Sequence, residues 1–233
     1  MKHALHHNRL IGQTDRHCHD QLLKHGDWVE LLPSQQLNRP EVPIEYAYFP
    51  TGSVIALVMQ QQNDKPIALA LIGNEGMIGI APALGVHFEP YTATVLSSGA
   101  ALRISVRHLY TLKTKNKSFS QVLDAYIAVI NAQFAQAAIC HGLHDLQQRL
   151  ACLLLTHSDR ISRTNFTMTQ ALLANLLGVR RSGINKAAST LQQAQILHYS
   201  RGQMHILNSL ALLEKACQCY VINKHSYQSI LHF

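Results

Sequence analysis

No apolar run in this 233-residue chain reaches the roughly 18 residues that a membrane span requires; the longest, such as Val54–Met59, are strand-length. No apolar stretch follows the His-rich N-terminus, so no signal peptide is expected. Also absent are a GxxxxGK[ST] phosphate loop, a GxSxG nucleophile elbow and an HExxH zinc helix. Between residues 28 and 105 only His87 offers an imidazole, too few ligands for a metal enzyme built on a β-barrel. An enzyme is not expected. Cysteines number five, at 18, 140, 152, 217 and 219, odd and scattered. That suits free thiols in a reducing cytoplasm better than a disulfide scaffold. Repeats and low-complexity tracts are missing, and the 47% hydrophobic content is ample for one large or two modest globular cores.

Negative charge is scarcest where positive charge gathers. From Gln147 onward there are nine Lys or Arg against two acids, Asp159 and Glu214, whereas the first 146 residues hold eleven of each sign. The whole formal excess of +7 therefore lies in the last third, as expected when one module meets a polyanion and the other does not. A membrane surface would also attract it. However, the cations are spread over several elements and not gathered on one amphipathic helix, which favours nucleic acid.

The densest pattern lies in that last third. Thr169 can cap a helix in which Leu172, Leu173, Leu176 and Leu177 form one apolar face. Gly178 then permits a chain reversal. From Arg180 a second helix buries Ile184, Ala187, Ala188 and Leu191 and leaves Arg181, Ser182, Asn185 and Lys186 on the opposite face. Ile196 and Leu197 close the helix pair. Residues 198–206 alternate around Ser200-Arg201-Gly202 like a hairpin wing. Helix, glycine turn, basic helix and ribbon together predict a winged helix-turn-helix whose second helix fits the major groove of DNA.

Upstream, short runs at 46–49, 54–60, 67–72, 92–96 and 100–105 alternate with turns at Pro50-Thr-Gly-Ser53, Asn63-Asp-Lys-Pro66, Gly73-Asn-Glu-Gly76 and Ser97-Ser-Gly99. These predict an antiparallel β-barrel or jelly roll over about 28–105, preceded by a partly helical segment. Ser118-Phe-Ser-Gln121 has the form of a capping box, and no Gly or Pro follows before Gly142. A helix of roughly 24 residues is expected there. Phe119, Val122, Leu123, Tyr126, Ile130, Phe134 and Ala137 lie along one side of it at coiled-coil-like spacing. This seam is expected to zip to a second copy, with packing on the chain's own barrel as the alternative. The chain thus reads as an α+β protein: a β-barrel, sensor-like module over 1–116, a dimerisation helix over 117–143, and a winged helix-turn-helix over 144–233.

Barrel, long helix and winged module in this order resemble the Crp/Fnr superfamily of bacterial transcription regulators over nearly the whole chain. The likeness is strongest at Leu146-Gln-Gln-Arg-Leu-Ala and at Thr169-Gln-x-x-Leu-Ala-x-x-Leu-Gly-Val-Arg-Arg. The close, Glu214-x-x-x-Cys217-Gln-Cys219-Tyr220, resembles one small branch of that superfamily. The resemblance implies a cytoplasmic homodimer on a two-fold symmetric DNA operator, with RNA polymerase as a further partner and no membrane. By the same likeness Arg181, Ser182 and Lys186 would face base edges or nearby phosphates. Thr169 and Gln170 would meet phosphate, Arg201 would add a wing contact, and Arg180 would anchor a phosphate or stay solvated. Asn185 shares their exposed face.

Where the cyclic-nucleotide-binding members carry a Gly-Glu pair and an Arg-Ser/Thr-Ala run, this chain reads Gly79-Ile80 and Tyr91-Thr92-Ala93. Carboxylate and guanidinium are both missing, so a degenerate effector pocket around Glu75, Gly79, Ile80, Tyr91 and Thr92 should not take cyclic AMP in the usual way. The effector is left open. No cofactor is expected, and Cys18 alone is too little for the four-thiolate cluster of the oxygen-sensing members. Cys217 and Cys219 offer two ligands, and Cys140, His141 and His144 lack an identifiable fourth, so no metal site is expected. The N-terminal histidines 3, 6, 7, 17, 19 and 25 are expected to be solvated. A second functional reading is a sensor or interaction protein whose winged module contacts other proteins.

Overall fold

The computed structural model describes residues 8–60 and 65–232. His3, His6, His7 and part of the turn expected at 63–66 lie outside the described residues. Two helices, α1 (Arg9–Gly12) and α2 (Arg16–His25), open the described chain and are capped by the side chains of Asn8 and Asp15. Seven strands follow: β1 (Gly26–Leu31), β2 (Gln36–Asn38), β3 (Tyr46–Pro50), β4 (Val54–Met59), β5 (Ile67–Ile72), β6 (Thr92–Ser97) and β7 (Gly99–Ser105). They pair antiparallel in two sheets, ordered β1-β7-β3 and β2-β6-β4-β5. One core contains Leu31, Phe49 and Leu102 from the first sheet and Ile55, Leu57 and Val95 from the second. The module is therefore a two-sheet sandwich, and no strand ladder closes it into a barrel among the described residues.

Strand β4 explains why its sequence does not alternate. Ile55 and Leu57 enter the sandwich core, while Val54 and Ala56 join a second core formed with the C-terminal residues. A strand covered on both faces reads as a continuous apolar run.

After α3 (Val106–Lys115), the long helix α4 spans Lys117–Leu143. Its cap is Asn116, whose side chain accepts from Phe119 N, and not the box expected at Ser118. The expected dimer seam is also corrected. Phe119, Leu123, Tyr126 and Ile130 are buried in the sandwich core of the same chain, Phe134 packs edge-on to Tyr91, and Ala137 is half-buried. Heptad spacing reports that a face is covered but not by what; here the covering surfaces are β5 and a returning C-terminal helix. By length and apolarity α4 could cross a bilayer, yet that covered face belongs to the core.

The C-terminal elements are α5 (Leu146–Ile161), β8 (Asn165–Thr167), α6 (Gln170–Leu176), α7 (Arg181–Gln193), β9 (Leu197–Ser200), β10 (Gln203–Ile206), α8 (Ser209–Lys215) and α9 (Cys219–Leu231). Asp145 and Gln148 form a reciprocal capping box at the start of α5. Helix α9 runs back along α4 and delivers Tyr227 and Leu231 to the sandwich core.

Candidate nucleic-acid interface

Local chemistry sets the helix pair. The Thr169 hydroxyl accepts from Leu172 N at 3.1 Å and fixes the first turn of α6. Leu173, Ala174 and Leu176 pack with Ile184, Ala187, Ala188 and Leu191 of α7. Gly178 turns the chain at φ +67°, and a Cβ there would stand 2.8 Å from the Ile67 side chain of β5. Glycine is required twice over, for backbone sign and for close approach.

The α7 surface is sorted by burial. Arg181, Ser182, Asn185 and Lys186 are exposed together with Ser189 and Thr190, which continue the same face and were missed in the sequence. Arg181 Nε donates to Gln170 Oε1 at 3.3 Å, and Gln170 Nε2 donates to Asn185 Oδ1 at 3.1 Å. Gln170 thus ties the two helices at their exposed ends. Arg180 is extended and stands at the N-cap of α7 without a capping side chain.

Beside α7 stands the wing, a three-stranded sheet ordered β8-β10-β9, of which β8 was not anticipated. Arg201 and Gly202, at φ +48° and +83°, form the hairpin turn, and Arg201 is exposed at the tip. The Tyr199 hydroxyl accepts from Gln170 N at 3.2 Å and couples wing to helix pair. Among the described residues, none of Arg180, Arg181, Lys186 and Arg201 forms an ion pair with a carboxylate. The face therefore presents uncompensated positive charge.

Residues 148–215 match the family of Crp-like helix-turn-helix domains. Most of the chain shares its fold with solved structures described as regulators of Crp/Fnr type. A structure described as a transcriptional-regulator candidate of the Crp/Fnr family from Eubacterium rectale superposes with TM-score 0.71 at 13% identity, covering 90% of this chain and 98% of that one. The c-di-GMP-responsive global regulator CLP of Xanthomonas campestris gives 0.68 at 14%, covering 82% and 99%. FixK2 of Bradyrhizobium japonicum gives 0.67 at 14%, covering 82% and 98%. At these identities the likeness establishes the fold. No curated protein matches by sequence.

The Crp-like domain lies against the outer face of the β4–β5 sheet. Arg160 Nε of α5 stands 2.8 Å from Glu75 Oε1, and neither side chain is more than 12% exposed. The Nε–H is not aimed along that line, so the pair is more electrostatic than hydrogen-bonded. Burial alone would lower the guanidinium pKa, but Glu75 and Tyr227 together more than offset it and the net direction is upward. The Tyr227 hydroxyl of α9 reaches the same Glu75 oxygen at 3.5 Å. One turn earlier, His157 Nε2 meets Ser97 Oγ at 3.1 Å, and burial pushes its pKa down to about 4.

The five residues expected to outline an effector pocket do not all share one cavity. Glu75 lines a cavity of about 160 Å³ with Arg160, Tyr220 and Tyr227, and the other four do not line it. Gly79 is a backbone contact: at φ +80°, a Cβ there would stand 2.9 Å from Tyr46 O. Ile80 and Tyr91 are buried in the sandwich core, and Thr92 opens β6. Sequence reasoning missed Glu89, which is 3% exposed. Its carboxylate accepts from Ala81 N at 3.2 Å and from the Asn38 side chain. Tyr91 also hydrogen-bonds to it, and burial raises its pKa. An internal carboxyl group thus satisfies the first backbone N–H of the 3-10 turn at Ala81–Leu84.

The histidine and cysteine expectations divide. His19 Nε2 lies 2.7 Å from Ile11 O, His25 stacks on His108, and His141 Nδ1 faces Arg149 Nη1 at 2.6 Å. Cys140 and His144, by contrast, meet Cys217 and Cys219. His141 stays outside this group, and its two remaining members come from a segment more than 70 residues away in sequence, which no local spacing could signal.

Proposed function

We propose that the chain is a dimeric, sequence-specific transcription regulator of Crp/Fnr type. In this reading residues 1–116 form a sensor-like module, 117–143 the dimerisation helix and 144–233 the DNA-binding module. The observation that carries it is the exposed, cationic face of α7 and the wing on a Crp-like domain. Arg181 reads a base edge, guanine by preference because a guanidinium fits it bidentately. Ser182, Asn185 and Lys186 line the same groove. Thr169, Gln170, Arg180 and Arg201 hold phosphates and set the register. Two copies address half-sites about 34–36 Å apart, the usual spacing of dimeric helix-turn-helix proteins. RNA polymerase would be a partner at promoters, in the cytoplasm.

Dimerisation uses the face of α4 left free by the core. Asn131, Ala135, Ala138, Ile139, Gly142 and Leu143 are exposed, and no Lys, Arg, Asp or Glu follows Asp124 in the helix. Leu143 is 78% and Ile139 47% exposed, which suits burial against a second copy.

Selected operator DNA and a random duplex test the reading. Arg181→Ala is expected to weaken operator binding by about 5- to 150-fold, the equivalent of about 1–3 kcal/mol, and random-duplex binding only a few-fold. Sedimentation of the same sample should give a dimer. Equal loss on both duplexes would sink base reading. Affinity that barely changes between low and moderate salt would instead favour a module that contacts proteins.

Cyclic AMP is not the signal in this reading. The sequence lacks the carboxylate and guanidinium of the usual pocket, and Glu89 already occupies backbone donors nearby. Isothermal titration of the full chain with cyclic AMP should show no binding up to millimolar ligand; a micromolar isotherm would overturn this.

A further inference from the structure

We propose that Cys140, His144, Cys217 and Cys219 form a mononuclear site for a thiophilic divalent cation of the zinc class. The site assignment stands apart from the DNA-binding reading. Cys140 lies in the last turn of α4, and His144 is its C-cap, one turn on. Cys217 comes from the linker between α8 and α9, and Cys219 is the first residue of α9.

The geometry suits a tetrahedral ion. One donor atom from each of the four residues lies within 4.8 Å of the others. Cys140 Sγ and Cys217 Sγ are 3.6 Å apart, and Cys219 Sγ and His144 Nδ1 are 3.4 Å apart. Around an ion with bonds of about 2.3 Å to sulfur and 2.0–2.1 Å to nitrogen, tetrahedral edges measure about 3.8 Å between sulfurs and about 3.6 Å from sulfur to nitrogen. The thiols are not disulfide-bonded, since bonded sulfurs lie about 2.0 Å apart.

The donor set also selects the ion. Three thiols and one imidazole, with no carboxylate, exclude the hard oxygen-seeking cations and suit zinc. Gln136 Nε2 donates to Cys219 Sγ at 3.0 Å, the kind of outer contact that orients a thiolate ligand. The carbonyl end of α4 favours a cation at Cys140 and His144, while the amide end of α9 favours a thiolate at Cys219. Cys217 and Cys219 are buried, and Cys140 and His144 are half-buried, which leaves a route for loading. Occupancy would clamp the end of α4, at its junction with α5, to the C-terminal segment.

The test uses full-length protein, reduced, chelator-stripped and titrated anaerobically with Co²⁺ and then Zn²⁺. One equivalent of Co²⁺ should give sulfur-to-cobalt charge-transfer absorption and the intense visible bands of a tetrahedral ion, and one equivalent of Zn²⁺ should bleach them. Cys217→Ser and His144→Ala should each weaken Zn²⁺ binding more than about 100-fold, beyond what outer contacts cost. Cys18→Ala should bind as the parent does, and circular dichroism should show all three variants folded. Pale octahedral cobalt, sub-stoichiometric zinc or unchanged affinity in His144→Ala would overturn the site. So would a Cys140–Cys217 disulfide, or iron with inorganic sulfide, in protein isolated without air.

Discussion

Arg160→Ala should destabilise the protein by about 3–5 kcal/mol in urea denaturation at neutral pH, because it strands the Glu75 carboxylate in a buried site. Glu75 is 6% exposed and fixed by Gly73 N, which donates to its Oε1 at 3.0 Å, so it cannot swing out to water without loosening the loop after β5. The Tyr227 hydroxyl alone cannot replace a guanidinium at 2.8 Å. Removing both charges should be far milder, since a buried pair must first overcome the cost of drying two ions. Arg160→Met combined with Glu75→Gln should therefore recover most of the loss. A single variant that loses less than about 1 kcal/mol would mean that the pair is hydrated and that the Crp-like domain is not held against the sandwich as described. The pair crosses between the two halves of the molecule, so the same variant should also expose α5 and β5 to faster hydrogen exchange.

The second large effect is acid sensitivity. His157 is fully buried and neutral, with a folded pKa of about 4 against 6.5 for the free side chain. A group depressed in this way contributes its stability above pH 6.5 and loses it as pH falls toward 4. The full difference is about 3 kcal/mol. Arg160 lies nearby and adds to the depression, and the Phe166 ring packs tilted against the imidazole, with centroids 4.7 Å apart. Glu89 works in the opposite direction. Its raised pKa means that the folded state takes up a proton first, so its contribution falls as pH rises above the ordinary carboxylate range. Subtracting the profile of His157→Gln from that of the parent isolates the histidine. Denaturation series from pH 7 to 4.5 should show the parent losing stability more steeply than the variant; parallel curves would mean that the ring is already solvated.

Both effects sit on the contact between the sandwich and the Crp-like domain, and that contact was written faintly in the sequence. The run Val54-Ile-Ala-Leu-Val-Met59 is apolar on both faces, where a sheet with one wet face would alternate. It signalled a strand covered twice without naming the cover. The helix-turn-helix was more legible. Thr169 as cap, Gly178 at positive φ, the basic face of α7 and the Arg201-Gly202 turn stand where the residues implied. Each depends on neighbours a few positions away, so local chemistry sufficed. The α4 seam misled for the complementary reason: Phe119, Leu123, Tyr126 and Ile130 have the spacing of a covered face, and the chain's own sheet and α9 provide the cover.

By itself the sequence determined the order of modules, the cap and turn residues of the helix pair, and the placement of all the excess positive charge in the last third. Backbone propensity and charge are properties of residues and their near neighbours, which is why they survive without a fold. Only the tertiary structure decided that α9 returns along α4, that Arg160 finds Glu75, and that Cys140 and His144 meet Cys217 and Cys219. Those meetings depend on which surfaces dock, and a pattern of apolar residues states that a surface is buried without stating what buries it.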